Sequence, residues 1–132
     1  MEQTPEFKAL QVKGYLQLLG ELRGDDSDIT TACVATRDGY EIASMSIAND
    51  QRKLAAMSSS MHALGDAITA EAQLGDCLNV IIESTTGKAV LLTIPDAARD
   101  KVLIVAARAE TNLGMLLTAT RTCCQKLAGV KM

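Results

Sequence analysis

A long helical segment at residues 49–74 carries two separate apolar stripes, and this pattern constrains the fold more than any other feature of the sequence. One stripe has large side chains and the other has small ones. The large stripe comprises Leu54, Met57, Met61, Leu64 and Ile68. The small stripe comprises Ala56, Ser60, Ala63, Ala67, Ala70 and Leu74. At about 100° per residue, the two stripes lie roughly 110° apart on one helix.

A surface helix needs only one apolar stripe to pack on its own core, so the second stripe predicts a partner. The small stripe advances in alternating steps of four and three residues, which is heptad spacing. Small side chains at such a seam let two helix backbones approach closely. This leaves the large stripe for the chain's own core and predicts a non-enzymatic module that pairs through the small stripe.

The rest of the sequence predicts two more helices and five strands. Helices are predicted at residues 6–23, 49–74 and 111–128, and strands at 30–36, 40–47, 77–84, 88–94 and 101–107. Asp38-Gly39 indicates a type I′ hairpin turn, Asn49 or Asp50 is the expected cap of the second helix, and Gly75 is its expected stop.

These elements predict an α/β (α+β) three-layer sandwich in a single domain that covers residues 1–132. Two hairpins make its five-stranded sheet mainly antiparallel. The strands at 88–94 and 101–107 are apolar on both faces, so we expect them in mid-sheet with helices on both sides. The long second helix is expected on one face, and the first and last helices on the other.

Composition excludes several classes of function. The chain has 2% aromatic residues, a net charge of −3 and no basic cluster, which argues against binding nucleic acid. No apolar run approaches the roughly 20 residues of a membrane span, and the polar N-terminus predicts no signal peptide. We therefore expect a cytoplasmic protein with reduced, buried cysteines. The alternative, in which one of the adjacent Cys123 and Cys124 is exposed and oxidisable, stays open.

No pattern in the sequence predicts catalysis, a metal site or a cofactor. His62 is the only histidine, and we expect it on the polar side of the long helix in a surface pair with Asp66. Gly87-Lys88 lacks the earlier glycine and the following helix of a phosphate-binding loop. The acidic loop that contains Asp25, Asp26 and Asp28 lacks calcium-binding spacing and is expected to be solvated.

The chain resembles the Roadblock family, which includes dynein light chains and bacterial partners of small Ras-like GTPases. The resemblance rests on the order of elements and on two local patterns. One is the hairpin at residues 33–44 around Asp38-Gly39, and the other is the apolar strand at 102–105 followed by Asn112-Leu113-Gly114 at the start of the last helix. It covers nearly the whole chain.

The resemblance implies a dimer in which the second helices lie antiparallel and the strand after each one extends a continuous sheet. The expected interface consists of Ala56, Ser60, Ala63, Ala67, Ala70, Leu74, Leu78, Val80 and Ile82. The exposed face of the paired helices is where relatives dock a small GTPase. The candidate partner contacts are Arg52, Lys53, Ser59, His62 and Asp66, although Arg52 and Lys53 are equally compatible with charges that contact only solvent.

Two functions follow from this resemblance, and a third class stays open. The first is a cytoplasmic adaptor or regulator that binds a small Ras-like GTPase, with roles in signalling, cell polarity or motility. The second is a scaffold or signalling-complex subunit that works without a GTPase. A small-molecule-binding or catalytic domain would need convergent polar groups. The sequence favours a homodimer without excluding a heterodimer.

Overall fold

The computed structural model describes residues 7–25, 28–46 and 52–130. It contains helices and strands in the predicted order α-β-β-α-β-β-β-α. The elements are α1 (Ala9–Asp25), β1 (Ile29–Thr36), β2 (Glu41–Ser46), α2 (Arg52–Glu71), β3 (Val80–Glu83), β4 (Gly87–Thr93), β5 (Lys101–Arg108) and α3 (Leu113–Ala128). Within the described ranges, no helix combines the length and apolar character needed to cross a bilayer.

The five strands form one sheet in the order β2-β1-β5-β4-β3, and every neighbouring pair is antiparallel. The apolar strands β4 and β5 lie inside the sheet, as their sequence predicts. β3 lies at one edge and pairs with β4 from Val80 opposite Leu91 to Glu83 opposite Lys88. The predicted strand at 77–84 is thus shortened at both ends.

Side chains alternate across the sheet and build a separate core on each face. On one face, Val34, Val90 and Leu103 pack with residues of α1 and α3, including Leu19 and Leu116. On the other face, the buried residues of the sheet lie under Ala55 of α2. They are Cys33, Ala35, Leu91, Val102 and Ile104. The three-layer arrangement, with α2 alone on one face, confirms the predicted fold class.

The hairpin between β1 and β2 turns at Gly39, which has φ +103°. Its N–H donates to the carbonyl of Thr36, while the Thr36 N–H donates to the carbonyl of Tyr40. Asp38 does not adopt a positive φ, so the expected type I′ turn is wrong. The β1–β2 pairing contains a register shift between Val34 and Ala35, which provides the twist that a type I′ turn would otherwise supply.

Helix α2 ends before the predicted stop at Gly75. Gln73 adopts a left-handed conformation with φ 58°, the Gln73 N–H donates to Ala70 and the Leu74 N–H donates to Thr69. These two bonds make a Schellman cap with Gln73 in the position that glycine usually takes. Asn49 and Asp50, the expected N-terminal caps, lie outside the described residues.

Candidate interaction surface on the second helix

Helix α2 lies on its own sheet through small and polar side chains. The buried residues of the helix are Ala55, Ser58, Ser59 and His62. The Ser59 hydroxyl donates to the carbonyl of Thr36 at 2.6 Å, and Nε2 of His62 makes a hydrogen bond with the Thr93 hydroxyl. This inner face therefore joins the ends of β1 and β4 by hydrogen bonds as well as by packing.

Gly65 lets the C-terminal half of α2 approach β3 closely. A methyl group added at Gly65 would lie 2.9 Å from Cγ2 of Val80 and 3.1 Å from Sγ of Cys77. Real Cβ atoms almost never make contacts this short, so the helix can sit at this height only with glycine at position 65. Val80, expected in the interface, is half-buried beneath the helix through this contact.

The large stripe does not face the core of the chain, and that expectation is wrong. Met57, Leu64 and Ile68 are 64%, 52% and 56% exposed, and Met61 is exposed as well. Only Leu54 packs against the core beneath the helix. The physical reason is that α2 lies very close to the sheet. Alanine, serine and glycine fit between the helix and the sheet, whereas methionine and leucine do not.

The small stripe is also exposed, so α2 presents two apolar stripes to the outside. Ala56, Ser60, Ala63, Ala67 and Ala70 are all exposed, and a groove of about 390 Å³ runs between this stripe and the large side chains. Between Lys53 and Glu71, the only acidic or basic residue of the helix apart from the buried His62 is Asp66, which lies on the side away from both stripes. We call this continuous surface the outer face of α2. It is much more apolar than a helix surface that contacts only water.

The outer face continues past the end of the helix toward the edge strand. Leu74 and Leu78 are 71% and 78% exposed, and Ile81 and Ile82 of β3 are each about two-fifths exposed. Since β3 is an edge strand, its second row of backbone donors and acceptors faces away from the sheet. Exposed apolar side chains and a strand edge therefore lie side by side.

The residues expected to contact a partner fall into two groups. Arg52 and Lys53 are exposed at the start of α2, and the Asp66 side chain is 40% exposed. Ser59 and His62 are buried against the sheet, so the surface pair expected for His62 is wrong. Helical periodicity places positions 55, 59 and 62 on one side of α2. The sequence does not identify that side as buried, because serine and histidine are polar.

His62 lies at the floor of a cleft of about 480 Å³, between α2 and the loops that flank β3 and β5. Burial lowers the pKa of His62, while Asp66 acts in the opposite direction and Arg37 adds to the lowering. Asp66 Oδ2 accepts from Arg37 at 2.7 Å and lies 3.5 Å from Nδ1 of His62. Sequence patterns do not identify Arg37 and Arg99, which line this cleft, because each lies in a connection between strands whose path the sequence does not predict.

Three of the four cysteines lie in the interior of the chain, and Cys77 is half-buried. Cys33, Cys123 and Cys124 are buried, and burial raises their thiol pKa values to about 12, 11 and 12. The expected burial is confirmed for these three cysteines, and the alternative in which Cys123 or Cys124 is exposed is wrong. Both lie on the inner side of α3 because adjacent residues are only about 100° apart and the buried stripe is wide enough for both.

Within the described residues, no group of three or more histidine, cysteine, aspartate or glutamate side chains is arranged to hold a metal ion. Asp26, in the middle of the acidic loop, lies outside the residues that the structure describes. The largest continuous feature that remains is the outer face of α2, which offers apolar contact area. Its chemistry suits binding between proteins.

No protein-family model and no curated protein sequence matches the chain. Solved structures do match. A Roadblock/LC7 domain from Streptomyces avermitilis is 19% identical with a TM-score of 0.76, over 85% of this chain and 92% of that one.

Two structures of MglB match over a greater length. The gliding protein MglB from Thermus thermophilus has a TM-score of 0.82 at 12% identity, over 98% of this chain and 97% of that one. MglB in a tetrameric arrangement has a TM-score of 0.82 at 14% identity, over 98% and 96%. The chain therefore has the Roadblock fold.

Proposed function

We propose that this single-domain chain is a non-enzymatic dimeric adaptor that binds a small Ras-like GTPase through its paired second helices. The observation that carries the proposal is the outer face of α2, where Met57, Leu64 and Ile68 are more than half exposed. An apolar surface of this extent is costly to leave in water and is typical of a protein–protein contact. The Roadblock fold supports the same assignment.

The small stripe supports pairing of two copies of α2 in antiparallel orientation. With a two-fold axis midway between Ser60 and Ala63, Ser60 of one copy faces Ala63 of the other, and Ala56 faces Ala67. Every contact in this register joins small side chains, so the helix axes can approach to about 8 Å. The solved MglB in a tetrameric arrangement adds support for self-association.

Charges at the two ends of α2 support the same register. Lys53 and Glu71 are exposed at opposite ends of the helix. In the antiparallel pair, Lys53 of one copy lies beside Glu71 of the other, and both flank the same side of the alanine seam. The helix dipoles also oppose one another in this orientation. The parallel pair lacks these contacts between opposite charges and aligns the two dipoles unfavourably.

The edge strand β3 supports an extended sheet next to the helix pair. Pairing of β3 with its copy would satisfy the backbone groups of the edge and cover Ile82, while Leu74 and Leu78 would close over the junction. All three side chains are among the exposed apolar residues of the chain. The exposed surface of this chain therefore already contains the apolar side chains that a homodimer would bury.

The large stripe remains available after the helices pair, because it lies roughly 110° around α2 from the alanine seam. We assign Met57, Met61, Leu64 and Ile68 to the GTPase-binding surface, with the exposed Arg52 and Lys53 at its polar end. Ser59 and His62 are left out because they are buried in the chain itself. Asp66 is left out because it lies in the cleft on the other side of the helix, paired with Arg37. The gliding protein among the similar structures is consistent with a cytoplasmic role in polarity or motility.

The test of the GTPase assignment is capture from a lysate of the source cells. The tagged protein is incubated once with GDP and once with a non-hydrolysable GTP analogue, and bound proteins are identified by mass spectrometry. We expect a Ras-like GTPase that is enriched in one nucleotide state. A set of partners that contains no GTPase and ignores nucleotide would refute the assignment and favour the scaffold function.

The test of the seam is a charge placed inside it. Ala63→Glu would bury a carboxylate near its symmetry mate, and Ala67→Glu would bury one against Ala56 of the other copy. Each change should cost several kcal/mol across the two chains. We expect either variant to be monomeric by light scattering. Gln17→Glu adds the same charge at an exposed position of α1 and should leave the dimer unchanged. A dimer that survives Ala63→Glu would show that the seam lies elsewhere.

A further inference from the structure

A second surface feature lies beside α2 and is independent of the proposed docking of a GTPase. It is the cleft of about 480 Å³ between the C-terminal half of α2, the loop before β3 and the loop between β4 and β5. Two guanidinium groups, Arg37 and Arg99, line it, and His62 forms part of its floor. Its size falls within the range of small-molecule sites.

His62 is a buried polar group with an incomplete set of hydrogen bonds. The residue is 4% exposed, and Nε2 bonds to the Thr93 hydroxyl. Nδ1 has no hydrogen-bond partner among the described residues. The nearest charged atom is Oδ2 of Asp66 at 3.5 Å, which is too long for a good hydrogen bond. A buried imidazole nitrogen in this state calls for an explanation.

Arg37 is the reason that Asp66 does not satisfy His62. The same oxygen, Oδ2, accepts from Arg37 at 2.7 Å. Asp66 thus serves as an internal carboxylate for Arg37, while the side chain of Arg37 stays 45% exposed and open to a competing ligand. Arg37 and His62 therefore compete for one carboxylate oxygen of Asp66, and only Arg37 makes a short hydrogen bond to it.

Arg99 adds a second cation that is held in an unusual backbone conformation. Its φ of 50° is rare for a residue other than glycine, and its N–H donates to Oδ1 of Asp96 at 2.8 Å. Its guanidinium makes no ion pair within the described part of the chain. A strained residue that presents an unpaired charge to a cleft is a common feature of ligand sites.

We propose that this cleft binds a carboxylate group, which takes the place of Asp66 on Arg37 and is also held by Arg99, while Asp66 moves onto His62. Asp66 itself shows that a carboxylate fits Arg37 at this position. A phosphate dianion is disfavoured because Asp66 and Asp76 both line the cleft. A ligand with a single negative charge suits the cleft better, because the two carboxylates already offset part of the positive charge of the two guanidinium groups.

The exchange couples ligand binding to protonation of His62. The charged and titratable groups that share the cleft with His62 are Asp66 from α2, Arg37 from the β1–β2 turn, Arg99 from the β4–β5 loop, and Asp76 and Cys77 from the loop before β3. When the ligand holds both arginines, Asp66 is left to pair with the imidazolium. The protein therefore takes up a proton as it binds, and the ligand binds more tightly below neutral pH.

NMR titration of the single histidine tests this directly. The pKa of His62 is measured on the full chain in acetate, sulfate and chloride at equal ionic strength. In acetate we expect it to rise by about one unit, because Asp66 becomes its ion-pair partner. Sulfate, which stays a dianion throughout the titration, and chloride should leave it nearly unchanged. An equal pKa in acetate and chloride would overturn the proposal, and so would a larger rise in sulfate.

Variants identify the residues that hold the ligand. Arg99→Gln should abolish the response to acetate, Arg99→Lys should retain part of it, and Arg108→Gln, at an exposed arginine away from the cleft, should leave it intact. A response that persists in Arg99→Gln would refute the site. Blocked aspartate, tested in parallel, separates the two sources of a carboxylate. If it acts like acetate, a partner's acidic side chain is accommodated, whereas a response to acetate alone assigns the site to a free small acid.

Discussion

Gly65→Ala provides a quantitative test of how closely α2 sits on β3. The added methyl group would lie 2.9 Å from Cγ2 of Val80 and 3.1 Å from Sγ of Cys77. Alanine in place of glycine inside a helix stabilises by about 1 kcal/mol, while overpacking costs about 1–3 kcal/mol. We therefore expect a net loss of about 0–2 kcal/mol in the free energy of unfolding, measured by urea denaturation at a fixed protein concentration.

Gly20→Ala is the matched control, because Gly20 lies in α1 and no atom comes within 4 Å of an added methyl group there. We expect it to stabilise by up to about 1 kcal/mol. The double variant Gly65→Ala/Val80→Ala should show a favourable coupling of about 0.5–3 kcal/mol, since the clashing methyl groups of Val80 are gone. If Gly65→Ala stabilised the chain as much as Gly20→Ala, the close approach of α2 to β3 would be wrong.

Three further predictions concern buried groups away from the proposed interface. Gly87→Ala should destabilise by about 2 kcal/mol or more, because its methyl group would lie 2.8 Å from the backbone carbonyl oxygen of Ala107, and urea denaturation measures the loss. Lys101→Met should cost about 3 kcal/mol, because Nζ of the buried Lys101 lies 2.8 Å from a carboxylate oxygen of Asp96, a side chain only 14% exposed that then loses its cation. Adding Asp96→Asn should recover part of the loss. The free energy of unfolding should also fall as the pH is lowered through about 6.5, because burial depresses the pKa of His62 and the unfolded chain takes up the proton first. If the stability of a His62→Gln variant fell as steeply, His62 would not be the cause.

The order of elements could be predicted from the sequence because each element has a strong local signal. The mid-sheet positions of β4 and β5 followed from apolar runs such as Val102–Val105, which only a strand covered on both faces can bury. Boundaries were less predictable. The end of α2 depends on Gln73 adopting a left-handed conformation, which glutamine seldom does, so Gly75 appeared to be the stop.

The inner face of α2 could not be predicted because it depends on distance to the sheet rather than on hydrophobicity. Periodicity places Ser59 and His62 together, but hydrogen bonds to Thr36 and Thr93 are what make their burial affordable. Sequence rules assign large apolar residues to the core, and they therefore placed Met57 and Leu64 there. The cleft was missed for a related reason, since Arg37, Asp66 and Arg99 are brought together only by the fold.

We would first measure self-association by sedimentation equilibrium for the unmodified chain, Lys53→Glu, Glu71→Lys and the double charge swap. Antiparallel pairing of α2 predicts a dimer whose Kd rises about tenfold in each single variant, because each one places like charges together at two symmetric points. The double variant restores opposite charges and should regain most of the affinity. A chain that is monomeric at tens of micromolar, or a double variant as weak as the single ones, would contradict pairing through this face.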